Sequence, residues 1–339
     1  MSAVGDSILT LPVLCALRTA FPHSFLGWVV ERKAAPVVRQ HECLDAVIEL
    51  DRGWFTSPGS ILAVRRQLKR YRFEIAIDCQ SMTKTALAGW LSGARNRIGC
   101  RGKHGRELSP WLNNVLVQPQ GSHLIDRSLG LLEPLGIEHP KVRFEFPMDS
   151  AAVETIHQQL RGLGLSGQFA VINPGASWDS RRWEMDRFGA VAKMLGRQHD
   201  LPSVVIWGND QELAWAKTIV DHSGGHAVLA PATTLPELAA LLSCARLFLG
   251  SDAGPLHLAV AMGTACVSLH GVTRPEDSGP YGEPHLAIQI RHDVSARRQR
   301  KRIDNRLMRL ITVDLVARKC SELLERTRPQ QVASRRAAG

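Results

Sequence analysis

Leu249-Gly250-Ser251-Asp252-Ala253-Gly254-Pro255-Leu256-His257-Leu258-Ala259 is the segment from which the architecture follows. A short apolar run ends near Ser251, and Gly254-Pro255 then opens a helical pattern. Proline suits the first helical turn, because the N–H it lacks would be unpaired there in any case. A buried strand turning directly into a helix is the repeating half-unit of a parallel α/β sheet. Such a turn leaves exposed amides and the positive end of the helix dipole at the carboxyl edge of the strand, which suits a diphosphate. Asp252 is placed to fix hydroxyls or orient the loop, and His257 to donate to a phosphate oxygen. A capped turn with a buried helix histidine would account for the same residues.

The pattern repeats on both sides of this segment. Strands are expected at 25–30, 46–50, 73–78, 169–173, 203–207, 247–251 and 266–270. Helices are expected at 62–70, 83–91, 151–163, 188–198, 235–243 and 256–262. Strand–helix alternation over 339 residues predicts an α/β protein of two doubly wound, Rossmann-like domains with a cleft between them. The expected division is 1–155, 156–310, a closing helix at 311–326 and a basic disordered tail at 327–339. A strand is also expected ahead of the Gly5-Asp6 turn, since a doubly wound domain normally opens on one. The sequence passes instead from Met1 straight into a helical pattern, so the first strand is apparently missing and the expectation is a functional start upstream.

Composition narrows the function classes. Hydrophobic residues at 44% and charged residues at 22% are ordinary for a globular chain. No apolar run approaches the ~18 residues that span a bilayer. The formal charge of +10 is concentrated: residues 291–339 hold fourteen Lys/Arg against five Asp/Glu, an excess of nine. The nearly neutral body argues against nucleic-acid binding, while the basic end could meet anionic lipid or remain solvated. Seven cysteines without a C-x-x-C pair are expected to be separate, reduced thiols, with no metal site.

Several further segments carry polar groups at expected strand ends. Asn173-Pro174-Gly175-Ala176-Ser177-Trp178 leads into Arg181-Arg182, whose forked donors suit phosphate oxygens. Glu212, after Trp207-Gly208-Asn209-Asp210, could accept from a ribose or base, although helix capping explains the neighbouring Asn and Asp equally well. Asp6 offers a carboxylate at a tight turn, Asp78-Cys79-Gln80 precedes Lys84, and His123 stands four residues before Arg127. Gly162-Leu163-Gly164-Leu165-Ser166-Gly167 formally spells the dinucleotide fingerprint, but a helix precedes it and a strand follows, the reverse of what pyrophosphate binding requires. Thr234-Leu235-Pro236-Glu237 is a capping box.

Taken in order, these segments resemble glycosyltransferase family 9, the heptosyltransferase-type enzymes of lipopolysaccharide synthesis. The resemblance runs from Val4-Gly5-Asp6 to the helix at 313–324, which it implies returns to pack near the amino-terminal domain. It is most specific at Ser251–Ala259 and the following Leu269-His270-Gly271-Val272-Thr273, with support from Asp78–Lys84 and Arg181-Arg182-Trp183. It implies a GT-B fold, no metal or other cofactor, and inverting transfer from a nucleotide-diphospho-sugar such as ADP-heptose. The implied acceptor is an anionic, lipid-linked molecule of the lipopolysaccharide-core kind, with no nucleic-acid partner. By the resemblance Asp6 is the general base and Arg181 stabilises the leaving group. Ser177, Glu212, Asp252, Gly254 and His257 bind the donor, and Lys84, His123 and Arg127 the acceptor. The implied location is cytoplasmic, with peripheral contact to the inner membrane. Ala253, where the family has Ser or Thr, lacks one hydroxyl donor; His270 stands for a common Phe and Ala265 for a common Pro. A GT-B nucleotide-sugar epimerase, or a non-catalytic sugar- or lipid-binding homologue, would share the architecture.

Overall fold

The computed structural model describes residues 4–291 and 304–328. The amino-terminal half runs α1 (Val4–Ala20), β1 (Gly27–Glu31), β2 (Ala46–Leu50), α2 (Pro58–Lys69), β3 (Ile75–Asp78), α3 (Thr83–Ser92), β4 (Asn96–Cys100), α4 (Ser109–Leu112), β5 (Val115–Val117) and α5 (Leu124–Gly130). The carboxyl-terminal half begins with α6 (Ser150–Gly162) and β6 (Ala170–Asn173). It continues through α7 (Met185–His199), β7 (Ser203–Val205), α8 (Asp210–His222), β8 (Ala227–Leu229), α9 (Leu235–Cys244), β9 (Leu247–Ser251) and α10 (Gly254–Ala261). Then come β10 (Cys266–Leu269), α11 (Pro275–Ser278), β11 (Leu286–Ile288), α12 (Arg306–Arg309) and α13 (Val313–Arg326).

The carboxyl-terminal half is one six-stranded parallel sheet of order β11-β10-β9-β6-β7-β8. Its strands are apolar on both faces, as burial under helices on both sides requires. Successive residues of β6 show the alternation: Val171 joins one core with Phe248, Ala239 and Leu256, and Ile172 the other with Phe188, Val191 and Leu249. Gly164 takes a positive φ of 73° between α6 and β6, so the glycine run at 162–167 is a helix stop and turn.

The amino-terminal half holds a parallel pair, β1-β2, and a separate parallel trio, β3-β4-β5. A cavity of about 640 Å³ lies between β1 and β3. Thr10, Val13 and Leu14 of α1 line one side of it, and Leu68 of α2 and Ala88 of α3 the other. Phe25, Tyr71 and Phe73 stack at its end, with ring centroids 5.3 Å apart for Tyr71 and Phe73. A Cβ on Gly27 would lie 2.5 Å from the Phe73 ring, so this contact needs a glycine. Among the described residues no strand pairs with both β1 and β3 to join the two sheets.

Two expectations change. The division at residue 155 falls inside α6, whose Ile156 and Leu160 are buried with Ala239 and Leu242 of α9. The resemblance also led us to expect α13 to return to the amino-terminal half. It packs instead on α7 and the β10–β11 edge, burying Val316, Cys320, Leu323 and Leu324 with Val191 and Leu195. Arg246 fastens its end, donating to Leu324 O at 2.9 Å and Thr327 Oγ1 at 2.6 Å. The amphipathic face fits the apolar flank of its own sheet, and that burial sets its place. The tail from 329 lies outside the described residues.

Candidate active site

The carboxyl edges of the two halves meet where α1 and α10 begin. Leu11 and Ile8 of α1 share a core with Leu256 and Leu258 of α10, so the two helix starts are held together by burial. A Cβ on Gly5 would lie 2.9 Å from His257 Cδ2 and 3.5 Å from Gly254 Cα. The glycines therefore let two helix N-termini converge. Like dipole ends that meet favour an anion between them.

Asp6 sits in the first turn of α1, and its Oδ2 accepts from Gln80 Nε2 at 2.7 Å. Gln80 is set by the turn after β3, where Ser81 takes a φ of 47° and Asp78 Oδ1 accepts from Ser81 N at 2.9 Å. Ser109 and Asn113 also donate to Asp78. Burial pushes the Asp78 carboxyl up while these bonds pull it down, so Asp78 braces the turn.

Across the cleft, Asp252 is enclosed by donors. Arg181 Nη1 lies 3.4 Å from its Oδ2 and donates to its backbone oxygen at 2.9 Å; His257 Nε2 lies 3.6 Å from Oδ1, and Ser278 donates to Oδ2 at 3.3 Å. Burial alone would raise the Asp252 pKa, but Arg181, His257 and His270 outweigh it and hold the carboxyl below its usual value. The carboxylate thus faces both Arg181 and His257. Arg181 also stacks 4.0 Å over the Trp178 ring. Burial lowers the His257 pKa despite Asp252 and Asp6 nearby, so the imidazole is neutral at pH 7. His270, hydrogen-bonded to Ser268, is driven down to about 4, chiefly by burial.

Glu212 stands farther along the same edge, beside the turns after β6 and β7. Its Oε2 accepts from Gly208 N at 2.8 Å, and a Cβ on Gly175 would lie 2.7 Å from its Oε1. It therefore holds the turn after β7 and packs closely on the turn after β6, with Ser177 exposed on the loop that follows. Because β9, β6 and β7 are adjacent, Ser177, Glu212, Asp252, Gly254 and His257 gather along one carboxyl edge with Arg181, as Asp6 faces them.

The expected acceptor residues divide. Lys84 Nζ pairs with Glu31 at 2.7 Å, both side chains largely buried. His123 Nδ1 caps α5 by accepting from Ile125 N at 3.1 Å, which leaves Nε2 to donate to Gly279 O at 3.1 Å. Both ring nitrogens are thus engaged, and the residue bridges the halves. Arg127 lies 3.2 Å from His104 Nδ1 on the loop after β4. That loop also carries Arg101, Lys103 and Arg106, which no motif marked in the sequence; Arg106 donates to Gln80 O at 3.2 Å and so adjoins Asp6. Away from this site, Cys15, Cys43 and Glu145 place donor atoms within 4.8 Å of one another. Burial pushes the Cys15 thiol up to about 12.

A sequence model of glycosyltransferase family 9 (heptosyltransferase) matches residues 61–306. The chain belongs to that family. Lipopolysaccharide heptosyltransferase 3 of Escherichia coli K12 is 27% identical over 277 residues, covering 79% of this chain and 80% of the relative. Lipopolysaccharide heptosyltransferase 1 of Salmonella typhimurium is 26% identical over 302 residues, covering 84% and 91%. Among solved structures, a family 9 glycosyltransferase from Veillonella parvula superposes with a TM-score of 0.83 at 23% identity, covering 96% of each chain. E. coli heptosyltransferase WaaC with ADP gives 0.73 at 20%, again covering 96% of each. The fold is GT-B, and the family 9 chain is a glycosyltransferase. No helix among the described residues is long and apolar enough to cross a membrane.

Proposed function

We propose that this family 9 glycosyltransferase moves a heptose from an ADP-heptose-type donor to an anionic, lipid-linked acceptor of the lipopolysaccharide-core kind, with inversion at the anomeric carbon. The observation that carries the reading is the meeting of Asp6 with the α10 N-terminus. A carboxylate held by Gln80 faces a site built for a diphosphate.

Asp6 takes the acceptor hydroxyl proton as that oxygen attacks the anomeric carbon, and the bond to the diphosphate breaks on the opposite side. Charge growing on the leaving group meets the first-turn amides of α10 and the guanidinium of Arg181, which Asp252 and Trp178 hold in place. Neutral His257 offers an N–H donor and no charge. Glu212 and Ser177 take the nucleoside and phosphate ends. Solved relatives carrying ADP and ADP-2-deoxy-2-fluoro heptose support an adenine nucleotide. Arg127 with Arg101, Lys103 and Arg106 supports an anionic acceptor, while the Glu31-paired Lys84 and the bridging His123 shape that side of the cleft. In this reading the reaction runs in the cytoplasm, at the inner membrane face.

A thermal-shift panel of ADP, UDP, GDP and their sugars tests the donor. Stabilisation by mass action should be greatest for ADP and ADP-heptose, and a preference for UDP-N-acetylglucosamine would point to epimerase chemistry. Turnover that requires an added acceptor separates transfer from epimerisation.

A further inference from the structure

The short helix α4 carries the most exposed large apolar side chain in the described structure. Trp111 is 88% exposed and Leu108, one turn earlier, 59%. Two large apolar groups on one protruding turn are costly in water unless a partner covers them. The surrounding sequence names the partner's charge. Residues 95–111 contain five basic side chains (Arg95, Arg97, Arg101, Lys103 and Arg106) and one acid, Glu107. Glu107 is exposed and accepts from Thr83 N at 3.2 Å, and Arg95, Arg101 and Lys103 are exposed as well, so basic groups outnumber the acid on this surface. An indole and a leucine exposed on a strongly basic segment match the interfacial zone of an anionic bilayer: the apolar groups enter the headgroup layer and the cations meet lipid phosphates.

The patch is continuous with the catalytic side. Leu108 N donates to Thr83 Oγ1 at 3.1 Å, Arg106 N to Ser81 O at 2.9 Å, and Gln80 holds Asp6. A membrane contacting α4 would therefore present a lipid-linked molecule to the acceptor side of the cleft. We propose that the α4 turn, Leu108 and Trp111 with Arg101 and Lys103, is the docking surface for anionic phospholipid bilayers. The proposal rests on the lipid-linked acceptor reading for its purpose, but its test does not depend on transfer.

The full chain is mixed with vesicles of phosphatidylethanolamine and phosphatidylglycerol, and separately with phosphatidylcholine alone, and bound protein is measured by flotation. The parent should bind the anionic vesicles and not the zwitterionic ones. The double variant Leu108→Ser/Trp111→Ser should lose roughly tenfold or more in partitioning, with unchanged melting temperature and unchanged stabilisation by ADP. Arg101→Ser/Lys103→Ser should weaken binding mainly at low salt. Parental binding by the double variant, or absence of binding by the parent, overturns the proposal; binding lost only on deletion of 329–339 would assign it to the basic tail. If the vesicle results hold and no acceptor is glycosylated, the docking surface stands and the acceptor reading falls.

Discussion

Gly5 matters because His257 leaves room for nothing larger. Gly5→Ala forces the α1 and α10 starts apart, and we expect at least a tenfold loss of transfer together with a lowered melting temperature; normal values of both would show that the helix starts can separate freely. Arg181→Ala should lower transfer by tenfold or more, since removing a donor aimed at developing charge costs about 10²-fold in well-studied sites. His257→Ala should lower it too, and because the side chain is buried the variant should also melt earlier. His270 supplies a pH dependence. Unfolded, it titrates near 6.5; folded, at about 4. Between these values the unfolded chain binds a proton the folded chain refuses, so its contribution is intact above about 6.5 and is lost as pH falls towards 4. The loss is on the order of 3 kcal/mol. Urea unfolding of His270→Phe should show a flatter decline over that window, and an unchanged slope would remove His270 as a source. Residue types and turn positions were legible in the sequence, as with Asp252 after its strand. Their partners were not: Asp252 faces Arg181 from 71 residues away, and His123 Nε2 reaches Gly279 O, 156 residues away, a contact that no local pattern reveals.

At the scale of elements, the amphipathic stripe of α13 announced a helix and its buried face, but not which sheet it covers. Leu323→Ala should cost about 2–5 kcal/mol in urea unfolding, because the position is fully buried against α7; a loss below 1 kcal/mol would mean the helix is peripheral. The cavity between β1 and β3 is the second element-scale feature. An apolar, β-branched segment of about five residues, fused with a short turn ahead of α1, should seat there as a parallel strand and raise the melting temperature by several degrees. A Gly/Ser segment of equal length should not, and equal effects of the two would show that the cavity takes no strand. Strands with continuous apolar sequence were readable, and β2 and β9 match the expected limits end to end. β4 was not, because Asn96, Arg97 and Gly99 break the pattern of a strand held by pairing on both sides. β5, β8 and β11 are three residues long and too short for periodicity to register, whereas β7, equally short, was found because it opens the longer apolar run 203–207.

For the whole molecule, alternation of strand and helix was enough to predict two parallel α/β halves, though not the split of the amino-terminal sheet into a pair and a trio, and the resemblance to supply GT-B. The meeting of their edges could not be read from either half alone. It comes from burial of α1 on α10 and from the His123 and Gly279 bridge, and it places Asp6 opposite the α10 start. The most direct test of that arrangement is the rate of ADP release from ADP-heptose with a lipopolysaccharide-core acceptor, measured for the parent and Asp6→Asn, alongside the thermal shift each shows with ADP. The amide keeps the size of the carboxylate and an oxygen for Gln80, but cannot take the proton. The account predicts a rate lower by about 10²–10⁴-fold with the ADP shift retained. Parental turnover by Asp6→Asn would contradict it.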